Sequence, residues 1–194
     1  MATFFTADTH FGHRTIIEKC RPWYRGIDEM DEDLIKQWNR QVSPKDDVFI
    51  LGDVSFRSSQ DTAHILSRLN GGLFLISGNH DGPAHRARQR FRWIKDLHET
   101  HIEDPESPTG NGRRKVVLFH YPMITWNGFH RGSFHFHGHS HGNLENRWDA
   151  FRMDVGIDAN WKGEEMVMIT PEMAIEHMRK CEPVSRDHHR APER

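Results

Sequence analysis

The chain is poor in cysteine, in long apolar runs and in net charge. Its 194 residues hold two cysteines, Cys20 and Cys181. They form no Cys-x-x-Cys pair, which argues against a disulfide framework and against thiolate zinc sites and suits a reducing cytoplasm. No apolar run approaches the roughly 18 residues of a membrane span, and the stretch from Met1 to Asp8 lacks the basic flank and apolar core of a signal peptide. The expectation is a cytoplasmic protein without a membrane partner. Lys and Arg number 26 against 28 Asp and Glu, a formal charge of −2, so neither a polybasic arm nor an acidic tail dominates. What is abundant is histidine. There are 16, and six of them (His120, His130, His135, His137, His139, His141) crowd between positions 120 and 141. Imidazole is the commonest metal-ligating side chain, and a core needs few of them.

The length fits one domain whose core can hold it without staples, so a bound metal would serve function rather than folding. Residues 1–181 read as that domain. Residues 182–194 show no periodic apolar face and read as a disordered tail carrying an idle His188-His189 pair. Four short apolar runs end on polar residues: Ala2 to Ala7 at Asp8, Val48 to Leu51 at Gly52-Asp53, Leu73 to Ile76 at Gly78-Asn79, and Val116 to Phe119 at His120. Near-continuous runs of this kind are strands covered on both faces, and ligands of open α/β sheets sit beyond the carboxyl ends of such strands. Met30, Leu34, Ile35, Trp38 and Val42 form one face of a helix with an acidic first turn. Ser58 or Ser59 caps another, and Thr170-Pro171 opens a last one reaching about Lys180. The alternation in Phe134-His135-Phe136-His137, followed by strand-like runs at 151–157 and 166–169, predicts a second, partly antiparallel sheet. Residues 103–114 read as the longest loop.

Placed together, the polar strand ends are Asp8-Thr9-His10, Gly52-Asp53, Gly78-Asn79-His80-Asp81, His120 and Gly138-His139-Ser140-His141. Asp8 and His10 are two apart, as are His139 and His141, so each pair can point one way from an extended strand end. Carboxylate, amide and imidazole donors without thiolate suit borderline divalent metals. Seven side chains exceed what one hydrolytic ion needs, and two ions sharing a carboxylate would use them all.

In this order and at these spacings, the motifs resemble those of the calcineurin-like metallophosphoesterase superfamily, most closely its compact single-domain bacterial and phage members. The resemblance runs from Asp8 to His141. It implies an α/β fold, a four-layer α/β/β/α sandwich with two mixed sheets. It also implies two divalent ions, manganese foremost, with iron, nickel, zinc or cobalt as alternatives. One would be held by Asp8, His10 and His141, the other by Asn79, His120 and His139, with Asp53 between them. The implied activity is hydrolysis of a phosphate ester by a hydroxide shared between the ions. A diester is favoured; a monoesterase, and less so a non-catalytic scaffold of the same fold, stand as alternatives. The substrate class extends to nucleotides and nucleic acid. His80 would bind the phosphate and protonate the leaving oxygen with Asp81 orienting its ring, while Asn79 and His13 would face the substrate. Gly52, Gly78 and Gly138 are expected to allow sharp turns. His130, His135 and His137 stay open between a role beside the metals and a structural one. The basic stretch Arg86, Arg88, Arg90, Arg92 and Lys95 reads as a solvated face in preference to a nucleic-acid patch.

Overall fold

The computed structural model describes residues 1–144 and 148–184 and is a mixed α/β fold built on two four-stranded sheets. The first sheet contains β1 (Thr3–Thr6), β2 (Asp47–Ile50), β3 (Gly72–Ile76) and β4 (Phe91–Lys95) in that order, all parallel. The second contains β5 (Leu97–Glu103), β6 (Arg113–Phe119), β7 (Phe134–His137) and β8 (Arg152–Asp154). Within it β5 is antiparallel to β6, while β6, β7 and β8 are parallel. A short antiparallel ribbon joins β9 (Trp161–Lys162) to β10 (Glu165–Met166). Helices α1 (Arg14–Cys20), α2 (Ile27–Gln41), α3 (Ser59–Arg68), α4 (Gly82–Arg86) and α5 (Pro171–Met178) connect and cover the strands.

Two helices, α3 and α5, start where a side chain closes an open amide end. The Ser58 hydroxyl accepts from the Asp61 amide at 3.1 Å, and the Thr170 hydroxyl accepts from the Met173 amide at 3.4 Å. The α2 stripe of Met30, Leu34, Ile35 and Trp38 packs on Phe4, Val48, Ile50, Leu73 and Leu75, one face of the first sheet. The opposite face presents Phe5, Ala7, Leu51 and Ile76 to Ile102, Val116, Leu118 and Phe136 of the second sheet. Phe5 and Phe136 meet edge to face at 4.9 Å. Ile169 pairs with Phe5, and α5 adds Ala174 and Met178 to this inter-sheet core.

The second sheet's outer face differs. Val117, His135 and Arg152 share it and are buried. What covers them is the 121–133 segment: Trp126 lies 5.1 Å from the His135 ring, and the Met123 carbonyl accepts from Arg152. The alternation in β7 therefore marks two unlike faces, both buried.

Several expectations need correction. The first sheet is wholly parallel, so only the second is mixed. Strand β6, whose continuous apolar run resembles those of β1 to β3, belongs to the second sheet, because Val116 and Leu118 fill the inter-sheet core while Val117 is sealed under the 121–133 segment. Strands β5 and β6 take up both ends of the expected 103–114 loop. The 151–157 run yields only β8 before a single 3-10 turn at Ile157–Ala159. Past the expected domain end, the Glu182 and Val184 amides bond the Trp148 and Asp149 carbonyls. Residues 185–194, including His188 and His189, lie outside the described residues. Phe136 is fully buried between the sheets. Phe136→Ala should lower the urea-unfolding free energy by about 3–5 kcal/mol, the cost of a large aromatic cavity.

Candidate metal centre

The strand ends of both sheets converge as the sequence suggests. The donor atoms of Asp8, His10 and His141 lie within 4.8 Å of one another, and so do those of Asp53, His120 and His139. Each set could hold one ion. Asn79 joins the second through its Oδ1, 3.1 Å from His120 Nε2. Asp53 stands between the sets: Oδ2 is 3.8 Å from His10 Nε2 and Oδ1 is 3.7 Å from His120 Nε2.

The backbone is forced into position here. Five non-glycine residues among those described have positive φ: Asp8 (57°), His10 (49°), Asp53 (55°), His139 (67°) and His141 (47°). All five belong to the expected ligand set. Side chains in this left-handed region cost on the order of 1–3 kcal/mol each at strained sites, and surrounding contacts must hold them there. Glycine supplies room more than turning. Gly52 alone of the three expected turn glycines has positive φ, 90°. A Cβ on Gly138 would stand 2.5 Å from the Ala7 Cβ and 2.7 Å from Asp8 Oδ2.

The contacts that hold these turns come largely from residues the sequence did not single out. Fully buried Arg21 donates to the carbonyls of Asp8 (2.7 Å) and Thr9 (2.8 Å) and to both oxygens of Asp158 (2.7 and 2.9 Å). Asp158 in turn accepts from His141 Nδ1 at 2.7 Å, which leaves His141 Nε2 as the lone-pair nitrogen. Burial alone would raise Asp158, but the His141 hydrogen bond and the Arg21 charge hold it below the usual carboxylate range. Asp154 takes the Ser140 hydroxyl and the Gly142 and Gly156 amides, which shapes the Gly-His-Ser-His loop. The signal was present, since Asp154 sits inside an apolar strand run and Asp158 shortly after it. Arg21 left no such trace.

Asp81 does not orient His80. Its carboxylate accepts the amides of Asp53 (3.0 Å), Val54 (2.8 Å) and Gly78 (2.7 Å), so it pins the turn that carries Asp53. His80 is exposed, and its amide donates to Asp53 Oδ1 at 2.9 Å. His13 sits at the rim, its Nδ1 3.1 Å from His10 Nδ1 and its ring stacked on Phe56 at 3.8 Å. His135 and His137 point away from the donor sets: His135 bonds the Val117 and Tyr121 carbonyls, and His137 bonds the Gly138 carbonyl. His130 lies on the 3-10 turn over the second sheet. Arg86 and Arg90 bond Ser59 and the Leu66 carbonyl, tying that segment to α3.

The electrostatics fit a cation. Burial raises Asp8 well above its ordinary value, reinforced by Asp154 and Asp53. Burial lowers His10 to about 2, with Arg21 and His141 adding to the effect. Asp8 Oδ1 and His10 Nε2 are buried without a hydrogen-bond partner and face each other at 3.9 Å. Buried polar atoms rarely stay unpaired, and a divalent ion between them would satisfy both and reverse the penalty on the carboxylates. Cys20, His141 and Asp158 form a further close set, but burial raises the Cys20 thiol and Arg21 already occupies Asp158.

The chain is 31% identical to the Gene 66 protein of Mycobacterium phage L5 over 180 residues, covering 81% of this chain and 86% of that one. It is 31% identical over 177 residues to the Gene 66 protein of Mycobacterium phage D29, covering 80% and 87%. With the uncharacterized protein MJ1445 of Methanocaldococcus jannaschii the identity is 32% over 142 residues, covering 72% and 69%. The chain belongs to the family these proteins form. A solved structure of AQ665 from Aquifex aeolicus, a protein of unknown function, superposes with a TM-score of 0.63 at 23% identity, covering 91% and 98% of the two chains. That likeness extends to the fold alone. No family model matches the chain.

Asp158→Asn should weaken Mn²⁺ binding in calorimetry about 10–100-fold, because the partner that orients His141 loses its charge. His135 gives a pH prediction. Burial lowers it from 6.5 to about 3, so the unfolded chain binds its proton first as pH falls, and stability drops below pH 6.5. Between pH 7 and 4.5 this amounts to about 2.5 kcal/mol. In His135→Gln the difference between urea-unfolding free energies at these two pH values should shrink by that amount.

Proposed function

We propose that the protein is a dinuclear metal-dependent phosphoesterase of the calcineurin-like superfamily, acting on a phosphodiester. The observation that carries the reading is Asp53, whose two oxygens face different donor sets. A carboxylate so placed draws two like charges together. The reading extends to the four-layer α/β/β/α architecture. The helices on the first sheet and the two facing sheets correspond to three of its layers, and the 121–133 segment with its 3-10 turn lies where the fourth would be.

In this reading Asp8, His10 and His141 hold one divalent ion, Asn79, His120 and His139 hold the other, and Asp53 is shared. When bound, the ions supply Lewis-acid activation of water and neutralise charge on the phosphoryl oxygens. The remaining work falls to the chain. Leu51 accepts from His120 Nδ1 at 2.7 Å and Asp158 from His141 Nδ1, so both imidazoles present Nε2 to the centre. His80 is anchored by its backbone to Asp53 while its ring reaches solvent, so it can follow the phosphate and give a proton to the leaving oxygen. Phe56 and Tyr121, 37% and 38% exposed, flank the donor sets, Phe56 against His13 and Tyr121 against His139. The imidazoles they touch, His13 and His139, line a cleft of about 370 Å³ together with His10, Asp53, His80 and His141, which suits an ester carrying a flat group, as in a nucleotide.

The test is hydrolysis of bis-p-nitrophenyl phosphate, p-nitrophenyl phosphate and a linear dinucleotide with Mn²⁺, alongside a metal count. The expected result is two ions per chain, diesterase activity, and a His80→Ala loss of 10²-fold or more on a linear dinucleotide, whose alkoxide needs a proton to leave, with a smaller loss on both p-nitrophenyl esters, whose phenolate leaves without one. One ion per chain, or no hydrolysis of any of these esters with any of Mn²⁺, Ni²⁺, Zn²⁺ or Co²⁺, would overturn it.

A further inference from the structure

We propose that a second pocket, remote from the candidate metal centre, binds a small phosphorylated anion. It lies on the outer face of the second sheet, between β5, β6, the 104–112 loop and the 126–133 segment, and encloses about 240 Å³. Arg113, Arg114, Lys115, Arg131, His101 and His130 line it, and no Asp or Glu does. In a chain with a formal charge of −2, that is a strongly one-signed concavity. Low-dielectric walls around like charges focus the field on an incoming anion.

The lining is held in place. Glu99 accepts from Lys115 at 2.9 Å and from Asn127 at 2.8 and 3.0 Å, which fixes both donors in the wall. Arg114 is spent on Asp104 (2.7 Å) and the Gly132 carbonyl (2.8 Å), bracing the loop against the 126–133 segment. The turn Phe129–Arg131 is bracketed by left-handed Gly128 (φ 80°) and Gly132 (φ 75°), so His130 and Arg131 are turned into the lining. By contrast, no ion pair or side-chain hydrogen bond engages the exposed Arg113 guanidinium among the described residues.

The chemistry selects a phosphoryl group. Its doubly charged, three-oxygen face matches the guanidinium forks of Arg113 and Arg131, whereas the Ser107 and Thr109 hydroxyls and the Asn127 amide already donate to the Arg113 carbonyl, Asn111 and Glu99. The volume falls below the roughly 300–1,000 Å³ of sites for drug-sized ligands, which points to a phosphate or a phosphorylated sugar rather than a polymer. Arg113 and His120 lie at opposite ends of β6, about 23 Å apart at the rise of a strand. An anion here is beyond reach of ester chemistry at the metal centre, so the site stands whatever reaction that centre performs.

The experiment follows amide signals of the full chain in EDTA by NMR while inorganic phosphate is added at constant ionic strength. The expected result is saturable shifts at Gly128, Gly132 and Ser133, absent with NaCl and weaker with malonate, a dicarboxylate of similar charge. Arg113→Ala with Arg131→Ala should weaken phosphate binding at least tenfold while leaving diester hydrolysis by the Mn²⁺-loaded protein unchanged. Shifts confined to residues near Asp53 and His139, equal binding of malonate, or an unaltered double variant would each overturn the proposal. None of the overturning outcomes argues against the phosphoesterase reading, which fails on the metal count and the ester assays instead.

Discussion

One buried guanidinium organises the centre of this molecule. Arg21 joins the carbonyls of Asp8 and Thr9, where β1 gives way to a left-handed turn, to both oxygens of Asp158. Through Asp158 it reaches His141, which belongs to the far end of the second sheet. A single side chain thereby couples the two sheets at the point where their polar ends meet. It is also ion-paired with Asp158, whose side chain is shielded from solvent, beside the buried acids Asp8 and Asp53. Burial first, and then repulsion between neighbouring carboxylates, makes such acids resist ionisation, as the raised Asp8 shows. Arg21 compensates part of that charge, and the unsatisfied Asp8 Oδ1 and His10 Nε2 mark where the compensation is incomplete.

The strained turns follow from the same constraint. Side chains that must face one point from separate strand ends cannot all do so from relaxed extended backbone. Asp8, His10, Asp53, His139 and His141 take left-handed conformations instead. Each is held by hydrogen bonds that a relaxed loop would not need: Asp81 under Asp53, Asp154 under the 139–142 turn, Asp8 Oδ2 on the His139 amide at 2.9 Å. The acids of the region therefore divide between two tasks. Some present free oxygens to the centre, and others use theirs to hold backbone amides.

The candidate site was readable at the level of residue type and order. Asp8, His10, Asp53, Asn79, His120, His139 and His141 all end or follow strands, and the structure brings them together. Asp81 shows the limit. A carboxylate beside a histidine reads as its partner, yet its oxygens turn to three amides, and nothing local indicates that direction. His135 and His137 share the histidine-rich run and the strand parity of His139 and His141, but they lie within β7, on the face beneath the 121–133 segment, while left-handed turns beyond the strand swing His139 and His141 to the centre. Arg21 was invisible because an arginine after a short helix is ordinarily solvated, and only the closing of 158 onto 21 buries it.

The helical faces of α2 and α3, the caps at Ser58 and Thr170, the apolar strands and the ordered series of polar strand ends are properties of the sequence itself, because they rest on local periodicity and short-range hydrogen bonds. The tertiary structure alone decided that β6 joins the second sheet, that the first sheet is parallel throughout, and that the second sheet's outer face is sealed by a loop segment. It also decided which acids hold backbone and which face the centre. These depend on contacts between residues far apart in the chain, 137 positions in the case of Arg21 and Asp158, and such contacts leave no local pattern to read.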